Sequence, residues 1–145
     1  MNAYRYSICL RFRHPSIDPA SITKAFKLKP KRWWQAGEAR KTPKGERLAG
    51  TYRESYWTSG DLARGRWPGK RLSEKLSVLA DRMERHRKFL SKFSAQGGRT
   101  EFFVGWYFLG NSGDVLPCDL MERLAKLKID LSFDVYPSDQ PQSGI

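Results

Sequence analysis

The stretch YRYSICLRFR, residues 4–13, alternates between two kinds of side chain along its whole length. Every second position from Tyr4 to Phe12 is apolar or aromatic, whereas the positions between them carry three arginines, a serine and a cysteine. Successive side chains of a β-strand point to opposite faces of a sheet, so this pattern predicts a strand with one buried and one exposed face. The rest of the chain must then supply a layer that covers the apolar face.

Three other stretches predict helices. IDPASITKAFKL (17–28) begins with Asp18, which can cap the first turn, and Pro19, whose missing N–H would have no intrahelical partner there. LSEKLSVLADRMERHRKFLSKF (72–93) repeats apolar residues every third or fourth position, which predicts one long amphipathic helix. VLPCDLMERLAKL (115–127) predicts a further short helix.

The remaining strands are predicted by composition and alternation. TYRESYWTS (51–59) has strand composition, RTEFFVGWYFLG (99–110) is apolar on both faces as a central strand is, and KIDLSFDVY (128–136) alternates. The segment 31–50 predicts a short extended piece followed by a loop, and the glycine-rich GDLARGRWPGKR (60–71) predicts a basic loop. The inward positions predicted for the last strand are Ile129, Leu131, Phe133 and Val135.

This order of elements, β-α-β-β-α-β-α-β, predicts an α+β fold. We expect a two-layer sandwich in which one long helix and two short helices pack on a ferredoxin-like sheet, mixed or antiparallel. The length of 145 residues suits one domain, so residues 1–136 are predicted to form a single α+β domain. The polar residues 137–145 predict a flexible C-terminal tail.

Composition narrows the class of protein. The chain has no apolar run of the roughly 20 residues that span a bilayer, and its N-terminus lacks the layout of a signal peptide. We therefore expect a cytoplasmic protein without a membrane partner. Two cysteines and two histidines, without CxxC or HxxxH spacing, predict neither a metal site nor a disulfide framework. The chain also lacks the spacing of a phosphate-binding glycine loop, and we expect no cofactor.

A set of short motifs runs through nearly the whole chain, namely Asp18-Pro19, Leu28, Pro30, Trp34-x-x-Gly37-Glu38-x-Arg40, Tyr56-Trp57 and the closing LSFDVY (131–136). Together with the long helix after residue 70, these motifs resemble a bacterial family known only as domain-of-unknown-function family 4279. The resemblance implies a shared fold. It implies no activity, because that family supplies no catalytic residues to carry over.

The middle of the chain holds most of the excess positive charge, which totals +12. The stretch KPKRWWQAGEAR (29–40) combines four cationic side chains with two adjacent tryptophans. Aromatic rings beside clustered cations are typical of a groove that binds single-stranded nucleic acid or another polyanion. The residues predicted to contact an anionic partner are Lys29, Lys31, Arg32, Trp33, Arg40, Lys41, Lys44, Arg47, Arg64, Arg66, Trp67, Lys70 and Arg71.

The two adjacent tryptophans cannot both enter one core. Neighbouring residues of an extended segment point to opposite faces, so one ring is predicted to fill the interface between sheet and helices. The family resemblance favours Trp34 for that position and leaves Trp33 to face outward or to cap a neighbouring loop. Trp33, together with Trp67 of the basic segment 60–71, is predicted to stack against or anchor the anionic partner.

Three functions fit the sequence. The first is a non-enzymatic binding module whose basic 29–71 region contacts an anionic macromolecule, either nucleic acid or an acidic protein. The second is a protein of the immunity or antitoxin kind, which blocks a partner protein. The third is an unrecognised enzyme whose candidate catalytic residues are His86, Asp130, Asp134 and Tyr136.

The candidate catalytic residues also have structural interpretations. His86 lies on the apolar stripe of the predicted long helix, which favours a packed core histidine. Asp130 and Asp134 could act as an acid–base pair, or they could form ion pairs with arginines of the first strand. The ion pairs require the first and last strands to be neighbours, as in a ferredoxin-like sheet, and we expect this arrangement. The arginines concerned are Arg5, Arg11 and Arg13.

Overall fold

The computed structural model describes residues 2–137. Of the tail predicted for residues 137–145, residues 138–145 lie outside the described residues. Helices and strands both occur, which confirms the α+β class. A 3-10 turn at Glu84–His86 separates the second helix from the third. The bounds of the other elements are β1 (Tyr4–His14), α1 (Pro19–Phe26), β2 (Arg32–Trp34), β3 (Ala39–Lys41), β4 (Arg47–Thr51), β5 (Ser55–Trp67), α2 (Leu72–Met83), α3 (Arg87–Ala95), β6 (Arg99–Phe108), α4 (Cys118–Lys126) and β7 (Ile129–Tyr136).

The main sheet is mixed and has the strand order β2-β5-β1-β6-β7, while β3 pairs with β4 in a separate hairpin. Strand β1 runs antiparallel to both β5 and β6, whereas β7 runs parallel to β6. The ferredoxin-like order is not confirmed, because β6 separates the first strand from the last. The chain leaves β6 through α4 and returns beside it, as short crossovers do, so β7 takes the outer edge.

The helices pack on one face of the sheet, and the alternation of β1 decides which face that is. Its buried positions join the core formed with α1, α2, α3 and α4, and they are Tyr4, Tyr6, Ile8, Leu10 and Phe12. Around Phe12, the rings of Trp57 and Phe93 pack edge-on with centroids 5.5 and 5.3 Å away. The opposite face lacks a covering helix within residues 2–137, and we call it the open face. On β1 it carries Arg5, Ser7, Cys9, Arg11 and Arg13.

Strand β5 runs through the segment that the sequence predicts as a basic loop. Residues 60–67 belong to this strand, so the loop prediction is wrong for them. Two of the glycines that favoured a loop lie within β5. Gly60 has a φ of +74° and lies where the register between β1 and β5 shifts, which is the geometry of a β-bulge. Gly65 lies against a core ring, since a Cβ there would sit 2.2 Å from the hydroxyl oxygen of Tyr6.

The predicted single long helix is wrong in one respect, because α2 and α3 are separated by the 3-10 turn. The apolar stripe continues across the turn, and Leu79 of α2 and Leu90 of α3 are both buried in the core. A 3-10 turn is tighter than an α-helical turn, and the local sequence does not mark its position. His86, in the turn, packs half-buried against Phe26 with 4.2 Å between the ring centroids.

The apolar face of β7 is covered only at its start. Phe133 and Val135 are paired in register with the buried Val104 and Trp106, so they point to the helix side as predicted. They are nevertheless 42% and 58% exposed, whereas Ile129 is 5% exposed. The reason is the length of the helix that precedes the strand. The nine residues of α4 span roughly 14 Å at 1.5 Å each, about half of the roughly 26 Å that the eight residues of β7 span.

Candidate anion-binding groove

A short hairpin of β3 and β4 stands beside the open face, formed by residues that the sequence predicts as a loop. The Tyr52 hydroxyl accepts a hydrogen bond from the N–H of Lys41 and donates one to its carbonyl, each at 3.0 Å. The Tyr52 ring stacks on Trp34 with centroids 4.2 Å apart, and Trp34 stacks on Tyr56 at 4.5 Å. This stack of three rings ties the hairpin to the sheet.

The adjacent tryptophans occupy the faces opposite to those predicted. Trp34 is paired in register with Tyr56 on the open face and donates its Nε1–H to the carbonyl of Glu54 at 3.0 Å. Trp33 is paired with the buried Trp57 and therefore points to the helix side, where it is 58% exposed at the edge of the sheet. The prediction fails because the register between β2 and β5 sets the faces, and no local sequence feature reveals that register.

A groove runs along the open face next to the hairpin. Its first part is a cavity of about 800 Å³ between the hairpin and the sheet. A second depression of about 460 Å³ continues it along β1 and β5, and Cys9, Asp61 and Phe103 line both parts. The cationic residues of the groove are Arg11, Lys31, Arg32 and Lys41 in the cavity and Arg5, Arg64 and Arg66 in the depression.

Aromatic rings hold two of the groove arginines in place. The guanidinium carbon of Arg11 lies 3.8 Å from the ring centroid of Phe103, and that of Arg32 lies 4.9 Å from Trp34. Arg11 also forms an ion pair with Glu101 at 2.5 Å, and both side chains are 23% exposed. Nε of Arg11 also donates to Glu101 at 2.6 Å, so the ring under Arg11 holds a guanidinium that is already ion-paired. Arg32 is positioned by its ring in the same way, and no carboxylate of the described residues forms an ion pair with it.

Carboxylates reduce the positive charge of the groove without cancelling it. Glu38, Asp61 and Asp134 line the cavity beside the cations. Asp61 already accepts hydrogen bonds from Arg64 at 2.6 Å and from the Cys9 thiol at 3.3 Å. Along the described part of the groove, cationic side chains outnumber carboxylates by seven to three. The described residues that line the groove therefore carry a net positive charge.

The structure brings several of the sequence-predicted contact residues together. Lys44 and Arg47 are exposed on the hairpin, and Arg40 donates to the carbonyl of Ala49 within it at 3.4 Å. Lys29 is exposed just before β2. The five predicted cations that line the groove itself are Lys31, Arg32, Lys41, Arg64 and Arg66.

Trp33 is among the residues that line the cavity, whereas three other predicted contact residues lie away from the groove. Trp67 is paired in register with the buried Tyr4, so its ring faces the helix side, and the guanidinium carbon of Arg71 lies 3.8 Å from that ring. Lys70 lines a separate hollow between α2 and α4. These side chains diverge from the groove because the chain passes from the sheet to the helix layer at this point.

Sequence reasoning missed the contribution of β1 to the groove. Its arginines are predicted to pair with aspartates of the last strand, but Arg11 pairs with Glu101 and Arg13 pairs with Glu54 at 3.3 Å. The prediction fails because β6 lies between β1 and β7. The alternation of residues 4–13 already places these arginines on the exposed face of the strand, but it does not show that the cations of later segments share that face.

The candidate catalytic residues do not form one site. His86 lies in the helix layer, whereas Asp134 lies across the sheet on the open face. Tyr136 donates its hydroxyl to Asp134 at 3.0 Å, and burial together with this carboxylate raises the pKa of Tyr136.

Residues 2–137 contain no group of three or more His, Cys, Asp or Glu side chains that could hold a metal ion. Nor does that part of the chain contain a helix with the length and apolar character needed to cross a membrane.

Comparison with known protein families assigns the chain. A family model described as Domain of unknown function (DUF4279) matches residues 3–138. The chain belongs to the DUF4279 family. This confirms the resemblance seen in the sequence, and in this DUF4279 member Trp34, the first residue of the longest motif, lies in the ring stack beside the groove. The curated proteins and the solved structures contain no match to the chain.

Proposed function

We propose that this DUF4279 chain is a non-enzymatic binding module that holds an anionic macromolecule, nucleic acid or an acidic protein, in the groove of the open face. One observation carries the proposal: Lys31 and Arg32, Lys41 of the hairpin and Arg11 of β1 line one cavity. These cations come from three separate parts of the chain. Like charges that folding brings together repel one another, and a bound anion offsets that repulsion.

The shape of the groove suits an extended partner. Its two parts meet along β1 and β5, and residues 58–66 of β5 span roughly 30 Å at 3.3 Å each. A groove of this length can follow several nucleotides of a single strand or an extended acidic segment of a protein. We expect the partner to lie along β5 with the hairpin at one side.

The ring contacts favour binding through charge rather than through base stacking. Trp34 stacks with both Tyr52 and Tyr56, and Arg11 covers a face of Phe103. These ring faces are already occupied by neighbouring side chains. Contacts to backbone phosphates or carboxylates therefore carry most of the affinity, which makes binding dependent on salt and tolerant of sequence.

The salt dependence of binding tests the proposal. A fluorescently labelled single-stranded oligonucleotide and a labelled poly-glutamate peptide serve as probes, and fluorescence anisotropy gives the affinity at several salt concentrations. If about five cations each neutralise one phosphate, log K falls against log salt with a slope near −3.5. The probe that binds with a steep slope identifies the class of partner. Flat salt dependence, or no binding of either probe at low salt, would overturn the proposal.

Matched charge variants locate the binding surface. One variant removes three groove cations by the substitutions Lys31→Gln, Arg32→Gln and Lys41→Gln. The control removes three exposed cations of the helix layer by Arg82→Gln, Arg85→Gln and Lys88→Gln. Both variants change the net charge equally, but we expect only the groove variant to lose affinity, by about tenfold or more at low salt. Equal losses would mean that net charge alone causes the binding.

A further inference from the structure

We propose that Arg5, Arg64 and Arg66, together with the hydroxyls of Ser7 and Tyr107, form a phosphate-binding site in the second depression of the groove. The site rests on the anion-binding role proposed for the open face. It specifies which chemical group of the ligand is bound and which residues bind it. The ligand class is a phosphate group, present either as free phosphate or a monoester or as a diester of a nucleic-acid backbone.

The strand register places three arginines side by side. Arg5 and Arg66 are direct partners across β1 and β5, and Arg64 follows two residues away on the same face. Like charges directly opposite each other destabilise a strand pair. Arg64 pairs with Asp61 at 2.5 Å, but in the described part of the chain no carboxylate lies within ion-pair distance of Arg5 or Arg66. Both guanidinium groups are therefore available to an anion.

Two hydroxyl groups meet beside these arginines, above Gly105. A Cβ at Gly105 would sit 2.8 Å from Oγ of Ser7 and 2.9 Å from Oη of Tyr107. Since glycine has no side chain, both hydroxyls can occupy the space above it, and both residues line the same depression as the arginines. Hydroxyl groups donate hydrogen bonds to phosphate oxygens, as guanidinium groups do.

The arrangement of donors favours phosphate over carboxylate. A carboxylate is planar, and the two parallel N–H groups of one arginine fork can satisfy both of its oxygens. A phosphate carries up to two charges on tetrahedrally arranged oxygens and can accept from several arginines that approach from different directions. Here Arg5 approaches from β1, whereas Arg64 and Arg66 approach from β5. One phosphate can therefore offset the repulsion between opposed arginines, which a singly charged carboxylate offsets only in part.

An NMR titration tests the ligand class. The Nε–H signals of the arginines are followed while inorganic phosphate is added, and then while acetate is added at the same ionic strength. We expect saturable shifts at Arg5, Arg64 and Arg66 with phosphate and no saturable shift with acetate. Equal responses to the two anions, or phosphate shifts spread over all arginines, would overturn the site.

The variant Arg66→Gln provides a second readout, because it removes the charge opposed to Arg5. In phosphate-free buffer Arg66→Gln should raise Tm slightly, because the repulsion from Arg5 is removed. A variant that had lost structure would instead have a lower Tm. Phosphate stabilises proteins generally by exclusion from their surfaces, so the comparison is made with Arg82→Gln, an exposed position on α2. We expect phosphate to raise Tm of Arg82→Gln as much as that of the wild type, and that of Arg66→Gln by less. Equal responses of the two variants would contradict the site.

Two further probes separate the sources of phosphate from each other. A dinucleotide whose only phosphate is a diester represents a nucleic-acid backbone, and inorganic phosphate represents a monoester. Saturation by the diester supports a nucleic-acid ligand, and saturation by inorganic phosphate alone supports a small phosphorylated ligand. If neither saturates the arginine signals while the oligonucleotide still binds with a steep salt slope, the site is wrong and the proposed function stands. If the oligonucleotide and the acidic peptide also fail to bind, both proposals are wrong.

Discussion

The surroundings of Cys9 in the groove raise the pKa of its thiol. Its Sγ donates a hydrogen bond to Oδ1 of Asp61 at 3.3 Å. Burial, and after it the Asp61 carboxylate, raises the pKa of Cys9 to about 12. The thiolate is the reactive form of cysteine, and at pH 8 only about one Cys9 in 10⁴ carries it. The groove therefore contains a neutral thiol rather than a nucleophile.

Thiol labelling tests this effect of Asp61. In a Cys118→Ser background, we expect Cys9 to react slowly with a chromogenic disulfide reagent at pH 8. Asp61→Asn removes the carboxylate and should speed the reaction, by roughly tenfold for each unit by which the pKa of Cys9 falls. The control is Asp130→Asn, which changes a carboxylate on β7 and should leave the rate unchanged. A wild-type Cys9 that reacts like an ordinary exposed thiol would show that its pKa is not raised.

His86 makes stability depend on pH. Burial and the neighbouring Arg85 lower the pKa of His86 below its ordinary value of 6.5. The unfolded chain then binds more protons than the folded one between the two pKa values, so the free energy of unfolding should fall as the pH drops through this range. Above pH 6.5 the stability associated with the neutral His86 is fully present. NMR titration of the His86 ring measures the pKa, and Arg85→Gln should raise it. A midpoint at or above 6.5 would contradict this prediction.

At the scale of elements, the path of β5 depends on the absence of a side chain at Gly65. A Cβ there would meet the Tyr6 ring, whose hydroxyl donates to the carbonyl of Lys70 at 3.0 Å. We expect Gly65→Ala to lower the free energy of unfolding by about 1–3 kcal/mol, as overpacking does. The control Gly113→Ala, where a Cβ meets nothing within 4 Å, should stay within about 0.5 kcal/mol. Urea unfolding measures both, and equal effects would exclude the close approach as the cause.

Elements that follow local rules could be predicted from the sequence. The alternation of residues 4–13 predicts β1 and its buried face, and Asp18 accepts a hydrogen bond from the N–H of Ala20 at 3.0 Å, as its N-cap position predicts. The hairpin and the second half of β5 could not be predicted in this way. The glycines there indicate turns by composition, whereas Gly65 is required by the ring of Tyr6, almost sixty residues earlier in the chain. Such long-range contacts leave no local signal.

At the scale of the whole molecule, the two faces of the sheet have different chemistry. The helices cover the apolar face, and arginines, lysines and rings line the open face. The sequence could predict the residue types of the groove but not which of them share a face. Trp33 and Trp67 face the helix side, whereas Arg11 lies in the groove, because strand order and register decide the faces. The proposed anion-binding surface is thus formed only when the strands assemble into the sheet.

Mapping of the bound anion on the folded protein tests whether the open face is the binding surface. Amide NMR spectra are recorded at low salt with and without a saturating amount of the anionic probe that binds best. We expect shifts in β1, β2, β5 and the hairpin, with Arg32 and Lys41 among the affected residues and with α2 and α3 unchanged. Shifts concentrated in the helix layer, or no shifts at all, would contradict this expectation.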